Sequence, residues 1–149
     1  MTKPSADRNN FGQLILGVAR LWRRAADEAL DNCGLSHATA MPLAALSRLG
    51  DNVRQGVIAE KLGLEGPSLV RVIDLLVADG LITRIEDPCD RRAKILSLTE
   101  PGRARVEEIE RLFEALRTGL LAEFDQRELG IAVTLLQRLE AKLLEPARG

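Results

Sequence analysis

The residues best equipped for chemistry lie in one stretch. Gly66-Pro67-Ser68 is followed at helical spacing by Arg71, then by Arg84 and the cluster Arg91, Arg92 and Lys94. Hydroxyl and guanidinium donors grip phosphate oxygens, and arginine can also pair with a guanine edge through two parallel N–H bonds. Gly66 and Pro67 let the backbone itself approach a ligand closely. Upstream, Ser36, His37, Arg54 and Gln55 stand where two helices are predicted to begin, and helix N-termini present free N–H groups to phosphate. The chemistry on offer is recognition of a nucleic acid by hydrogen bonds and charge. Taken singly, Ser36 as a plain cap, Arg54 as a solvated cation and the 66–78 segment as an ordinary amphipathic helix explain the same residues. The order of the elements around them favours the recognition reading.

Bond-making chemistry finds no support. His37 is the only histidine, and a catalytic histidine needs a nucleophile and an orienting acid close by. No such set is identifiable, so no catalytic residue is assigned and the chain is not expected to be an enzyme. One histidine with the distant Cys33 and Cys89 makes a poor metal site. Neither a metal nor a cofactor is expected. Two cysteines are too few for a disulfide framework in this length. Both read as structural or incidental, with Cys89 open to adventitious oxidation in an exposed turn.

Composition sharpens the picture. Formal net charge is −1 and the sequence pI is about 5.9, which argues against wholesale electrostatic capture of nucleic acid. From Arg54 to Lys94 acidic and basic residues balance, so any DNA contact must be local. Arg91, Arg92 and Lys94 form the only dense basic patch there, and phosphate attraction depends on which cations face the backbone, not on the chain average. A length of 149 residues with 46% hydrophobic content fits one globular domain or one protomer of an oligomer. No apolar run is long enough to cross a bilayer, and Met1 to Asn10 is polar with no signal-peptide core. A cytoplasmic protein with no membrane partner is expected.

The elements that must position these residues follow from periodicity. A long helix is predicted from about Asn9 to Asn32, with Asn10 as its N-cap and Phe11, Leu14, Ile15, Val18, Leu21, Trp22, Ala25 and Leu30 in helical period. Gly34 sits where a helix end favours positive φ. A second helix follows Ser36. Pro42 predicts either a kink there or a start only a few residues earlier. Val53 to Leu62 is read as a short helix with Val57, Ile58 and Leu62 inward, closed by Gly63. Gly66 is predicted to cap the next helix, with Pro67 in its first turn. Leu69, Val72, Ile73, Leu76 and Val77 share one face of that helix; Pro67, Ser68, Arg71, Asp74, Leu75 and Ala78 lie opposite. After Gly80, strands near Leu81–Ile85 and Lys94–Leu98 flank a loop, Glu86–Ala93. In that loop an Asp90–Arg92 pair can stiffen the hairpin and leave Arg91 at the tip for a minor groove. Thr99 caps a long helix that tolerates Pro101 early. Asp125 caps the last one, with Glu128 at capping-box spacing, and that helix carries Leu129, Val133, Leu136, Leu139, Leu143 and Leu144.

A helix–turn–helix followed by a basic hairpin is the arrangement of a major-groove helix beside a wing. Gly66-Pro67-Ser68, Gly80-Leu81, Asp90-Arg91-Arg92 and Leu98-Thr99 with Gly102 resemble the MarR family of bacterial transcription regulators, within it the SlyA-like members. The likeness is close from about Gly34 to Arg105 and by pattern only beyond. It implies a mainly α fold with a small β-hairpin wing: a winged helix-turn-helix lobe over about 34–99, and dimerisation helices over about 9–32 and 100–145, as one domain, 1–149. It implies a homodimeric repressor of a pseudo-palindromic double-stranded DNA operator, released by a small aromatic or anionic ligand, with one arginine of the wing motif in the minor groove. A ligand pocket would draw on the first, second and fifth helices, with Trp22, Met41 and Leu46 as candidate lining. Leu75 and Val77 depart from the family pattern, which often has a basic or amide residue and an acid there. Two alternatives stand beside this: a cysteine-based redox-sensing regulator, and a winged-helix protein-interaction module that does not bind DNA.

Overall fold

The structure is a computed structural model that describes residues 4–145. Met1–Lys3, part of the polar start, and residues 146–149 lie outside the described residues. The order is α1 (Pro4–Asp31), α2 (His37–Leu49), β1 (Val53–Arg54), α3 (Gln55–Leu62), α4 (Gly66–Ala78), β2 (Ile82–Asp87), β3 (Asp90–Leu98), α5 (Glu100–Leu121) and α6 (Gln126–Leu144). The strands form one antiparallel sheet in the order β1-β3-β2. This is the expected mainly α fold with a β-hairpin wing, plus one short strand the sequence did not announce.

Local chemistry sets most boundaries. Ser36 Oγ accepts the Thr39 N–H and opens α2. Asp125 and Glu128 form a complete capping box at α6. Thr99 Oγ1 accepts the Gly102 N–H at 3.1 Å and donates to the Gly80 carbonyl at 2.6 Å, so one hydroxyl ties the start of α5 to the turn after α4. Gly102 is required by a close approach: a Cβ there would lie 1.9 Å from the Leu81 carbonyl oxygen. The Leu-Thr-x-x-Gly spacing is thus a packing contact between α5 and the chain entering β2.

Some expectations need correction. Asn10 caps nothing, because α1 runs through it from Pro4. A proline is tolerated at the first position of a helix, and no glycine or further proline separates Pro4 from Phe11. α2 starts at His37 and carries Pro42 inside, as the second alternative held. Val53 and Arg54 are not helical. They pair with Leu96 and Ile95 of β3, a tertiary contact that overrides local preference. Val57 faces outward while Ile58 is fully buried. Gly66 is the first residue of α4 and Glu65 its N-cap. The strands of the wing extend to Asp87 and back from Asp90, so the turn is Pro88-Cys89 and not an eight-residue loop.

The chain forms two compact units divided between Leu116 and Arg117. In the first, Leu30, Leu43, Leu46, Ile58, Leu69, Ile73, Leu76, Ile82, Leu96, Val106 and Ile109 pack into one core. Each such side chain contributes about 1.5–3 kcal/mol by leaving water. Leu69, Ile73 and Leu76 are the inward face predicted for α4, so its other face is presented outward. In the second unit no residue of α6 is buried.

Candidate nucleic-acid interface

α4 presents Ser68, Val70, Arg71, Asp74 and Leu75 to solvent. Pro67 lies at the second position of the helix, where its missing N–H leaves no bond unmade. The start of α4, the start of α3 and the inner side of the wing enclose a cleft of about 470 Å³, lined among others by Arg54, Gln55, Gly66, Val70, Arg92 and Lys94. Five of the residues singled out from the sequence therefore meet at one place. Val70 is an addition: its position on the wheel placed it on neither face, and only the fold shows it half-open to the cleft.

Four of the candidate cations are tethered to acids. Arg84 reaches Asp74 at 2.6 Å, Lys94 reaches Glu86 at 3.3 Å, and Arg92 Nε reaches Asp90 at 3.3 Å. Arg54 grips Asp87 at 2.5 Å. Arg71 and Arg91 form no ion pair among the described residues. The Arg84, Lys94 and Arg92 pairs are exposed and contribute little stability, so a phosphate can replace the acid at modest cost; the Arg54–Asp87 pair differs, because its carboxylate is buried. Part of the balanced charge of this stretch thus resolves into four ion pairs, and Arg71 and Arg91 are the guanidiniums outside them.

The wing turn is built from two Asx turns. Asp87 Oδ1 accepts the Cys89 N–H at 2.9 Å, and Asp90 Oδ1 accepts the Arg92 N–H at 3.1 Å. The predicted Asp90–Arg92 pair is present. Asp87 was not among the residues singled out from the sequence, although an aspartate before Pro-Cys is a turn signal. Its carboxyl is held below the ordinary 3.8 chiefly by the Cys89 N–H; burial opposes this, and Arg54 and the Asp90 N–H assist.

Ser36 and His37 are not brought to the cleft. Ser36 Oγ is engaged with Thr39 and lines a separate cavity beside Leu76, Asp79 and Arg105. His37 Nδ1 lies 2.6 Å from Asp27 Oδ1 of α1. It shares with Arg23, Met41, Lys61, Leu64 and Ser68 a cavity of about 630 Å³. Of the three candidate pocket residues only Met41 lines that cavity. Leu46 is fully buried in the core and Trp22 is exposed on α1. Cys33 and Cys89 are both exposed and unbonded. Among the described residues no group of histidine, cysteine and acidic side chains could hold a metal ion, and no helix is long and apolar enough to cross a membrane.

An outward-facing second helix of a helix-turn-helix, followed by a stiffened basic hairpin, defines a winged-helix protein of the kind that regulates transcription. Comparison with known proteins gives the family. A model of the MarR family matches residues 34–93. The crystal structure of transcriptional regulator PA3341 is 34% identical over 91% of this chain and 99% of that one, with a TM-score of 0.81. The chain belongs to the MarR family of transcriptional regulators. Two further structures share the fold. One is a MarR-family regulator from Rhodococcus sp. RHA1, 24% identical over 93% of this chain and 96% of that one, TM-score 0.78. The other is a cysteine-to-serine mutant of MarR from E. coli complexed with operator DNA, 23% identical over 93% and 99%, TM-score 0.76.

Proposed function

We propose that the protein is a cytoplasmic homodimeric repressor that binds a pseudo-palindromic operator in double-stranded DNA and is released by a small aromatic or anionic ligand. The carrying observation is the cleft that joins the outward start of α4 to the cation-lined wing. In this reading α4 enters the major groove with Ser68 and Arg71 toward phosphates and base edges, and Arg91 of the wing reaches the adjacent minor groove. Arg84 and Lys94 exchange their carboxylates for phosphates at the rim; Arg54 and Arg92 stay paired with Asp87 and Asp90 and offer their remaining N–H groups, while Gln55, Gly66 and Pro67 hold close to the backbone. The DNA-bound E. coli relative shares this fold.

The dimer is supported by unsatisfied apolar surface. On α1, Leu14, Leu16, Val18 and Leu21 are exposed; on α6, Ile131, Val133, Leu136, Leu143 and Leu144 are exposed. Patches of this kind mark association, and a helix that reads one half-site needs a second copy for a palindrome. The ligand is supported by the 630 Å³ cavity, lined by Arg23 and Lys61 together with Met41, Leu62, Leu64 and Val72. Cations among apolar side chains suit an anionic group on an apolar body. Ser68 of α4 lines the same cavity, so an occupant would touch the recognition helix directly.

The test is a gel-shift titration of the full chain on its own upstream DNA, repeated with a panel of aromatic acids. A shift that these acids reverse is expected, with DNA reciprocally weakening acid binding. No shift with any upstream fragment would leave the protein-interaction module as the better reading.

A further inference from the structure

We propose that Asp87 is a positioning residue for the wing: by gripping Arg54 and the Cys89 N–H together, its carboxylate sets the angle at which Arg91 meets DNA. The inference rests on the reading that the wing touches DNA.

Asp87 is the one charged side chain that is buried among the described residues, at 6% exposure. A buried carboxylate is costly unless its oxygens are engaged, and here they are divided between two elements. Oδ2 holds Arg54, the residue immediately before α3, and Oδ1 holds the wing turn. The sheet ladder does not do this work. The register runs Glu86↔Lys94 and then jumps to Asp87↔Asp90, so Arg91, Arg92 and Ala93 have no opposite number on β2. A stretch freed from its ladder is a bulge, which bends and re-aims the side chains it carries. Arg91 rides on that stretch. Two tethers limit its movement: the local Asp90–Arg92 pair, and the Asp87–Arg54 pair, which alone of the two connects the wing turn to the helix-turn-helix. Losing the second would let the wing turn swing relative to α3 and α4 while α4 stays seated on the core.

This role has a readout of definite sign. Removing a negative charge from a DNA-facing surface should by itself tighten binding, since fewer anions oppose the phosphates. A positioning role predicts weaker binding instead. The full chain should be titrated with operator DNA as wild type, Asp87→Asn, Asp87→Glu, Arg54→Met, Arg91→Ala and the double variant Asp87→Asn with Arg91→Ala. Circular-dichroism melts and light scattering check fold and assembly. Asp87→Asn is expected to lower affinity on the order of tenfold, and Arg91→Ala should cost much less in that background than in wild type. Hydroxyl-radical protection should fade at the outer minor-groove positions and persist under α4. Asp87→Glu should recover part of the loss, and Arg54→Met should reproduce it. Tighter binding by Asp87→Asn, or full additivity with Arg91→Ala, overturns the proposal and leaves the wing reading intact. No effect of Arg91→Ala alone overturns the wing reading and this inference with it. If Asp87→Asn fails to fold, coupling between Arg54→Met and Arg91→Ala decides the matter in the same way.

Discussion

The lobe and the last helix use apolar side chains to opposite ends. In the lobe, Leu43, Leu46, Ile58, Ile73 and Leu76 are sealed within the chain itself. Along α6, Ile131, Leu143 and Leu144 are 63%, 76% and 77% exposed, and nothing on that helix is buried. Yet α6 is as well formed locally as any element of the lobe, with a complete capping box at its start. The contrast separates two sources of order. Capping and propensity can hold a helix in shape, but most helical stability in proteins comes from packing of an apolar face. The lobe supplies that face from its own chain, whereas the apolar face of α6 is left uncovered, which is what the proposed dimer would explain.

The sharpest way to break this comparison is to remove α6. Truncation after Glu123 is expected to abolish the dimer and operator binding and to cause aggregation or failure to fold, read by light scattering and gel shift. A full-length chain that stays a soluble, folded monomer at micromolar concentration would contradict the contrast at its root.

Inside the lobe, the tightest joint is the next target. Gly102→Ala pushes a methyl group into the Leu81 carbonyl, and backbone cannot yield as a side-chain end can. A loss of about 1–3 kcal/mol is expected from overpacking, seen as a drop of melting temperature of several degrees. An unchanged melt would mean that the α5 start shifts freely and that the lobe is less sealed than its burial implies.

Arg71 probes the lobe's outer face with a loss of binding and little loss of stability. If it reads a guanine, Arg71→Ala should cost ~1–3 kcal/mol and relax preference at one position of each half-site. If it holds a phosphate, affinity should fall evenly across sequences and the salt slope should become shallower by about one unit. Competition against single-base operator variants distinguishes the two, and unchanged affinity for all of them removes Arg71 from the interface.

A small effect is expected from acid. Because Asp87's folded pKa is lowered from 3.8, its ionised form contributes stability that is fully present above the unfolded value. That contribution is lost as pH falls through the folded value. The melting difference between wild type and Asp87→Asn should therefore hold at neutral pH and shrink only below about pH 4. A difference that changes between pH 5 and 8 would point to some other group. The smallest effect is expected at the cysteines. Cys33→Ser and Cys89→Ser, both at exposed positions, should leave operator release intact. Release by mild peroxide that disappears in Cys33→Ser would favour redox sensing over a ligand.

Several features of the fold and site were readable from neighbouring residues alone. The Ser36, Thr99 and Asp125 caps, the inward face Leu69-Ile73-Leu76 of α4 and the Asp90–Arg92 pair each depend on residues within about one helical turn or one hairpin turn of each other. The Gly-Pro-Ser start, the Gly-Leu turn, the Asp-Arg-Arg turn and the Leu-Thr-x-x-Gly helix start, in that order, together suggested the family. Other features needed the folded chain. Val53 and Arg54 became a strand because Leu96 and Ile95, far along the sequence, offered a ladder edge. Arg84 and Arg54 were tied down by Asp74 and Asp87, acids that one-dimensional charge counting could only cancel and not assign. His37 turned to Asp27 and Ser36 to Thr39, away from the cleft where their positions at a helix start had suggested a phosphate contact. The dividing line is physical. Caps, turns and amphipathic faces are decided by interactions within a few residues, whose geometry the backbone already constrains. Ion-pair choice, strand register and the burial of Asp87 are decided by which distant groups meet, and only tertiary packing settles that.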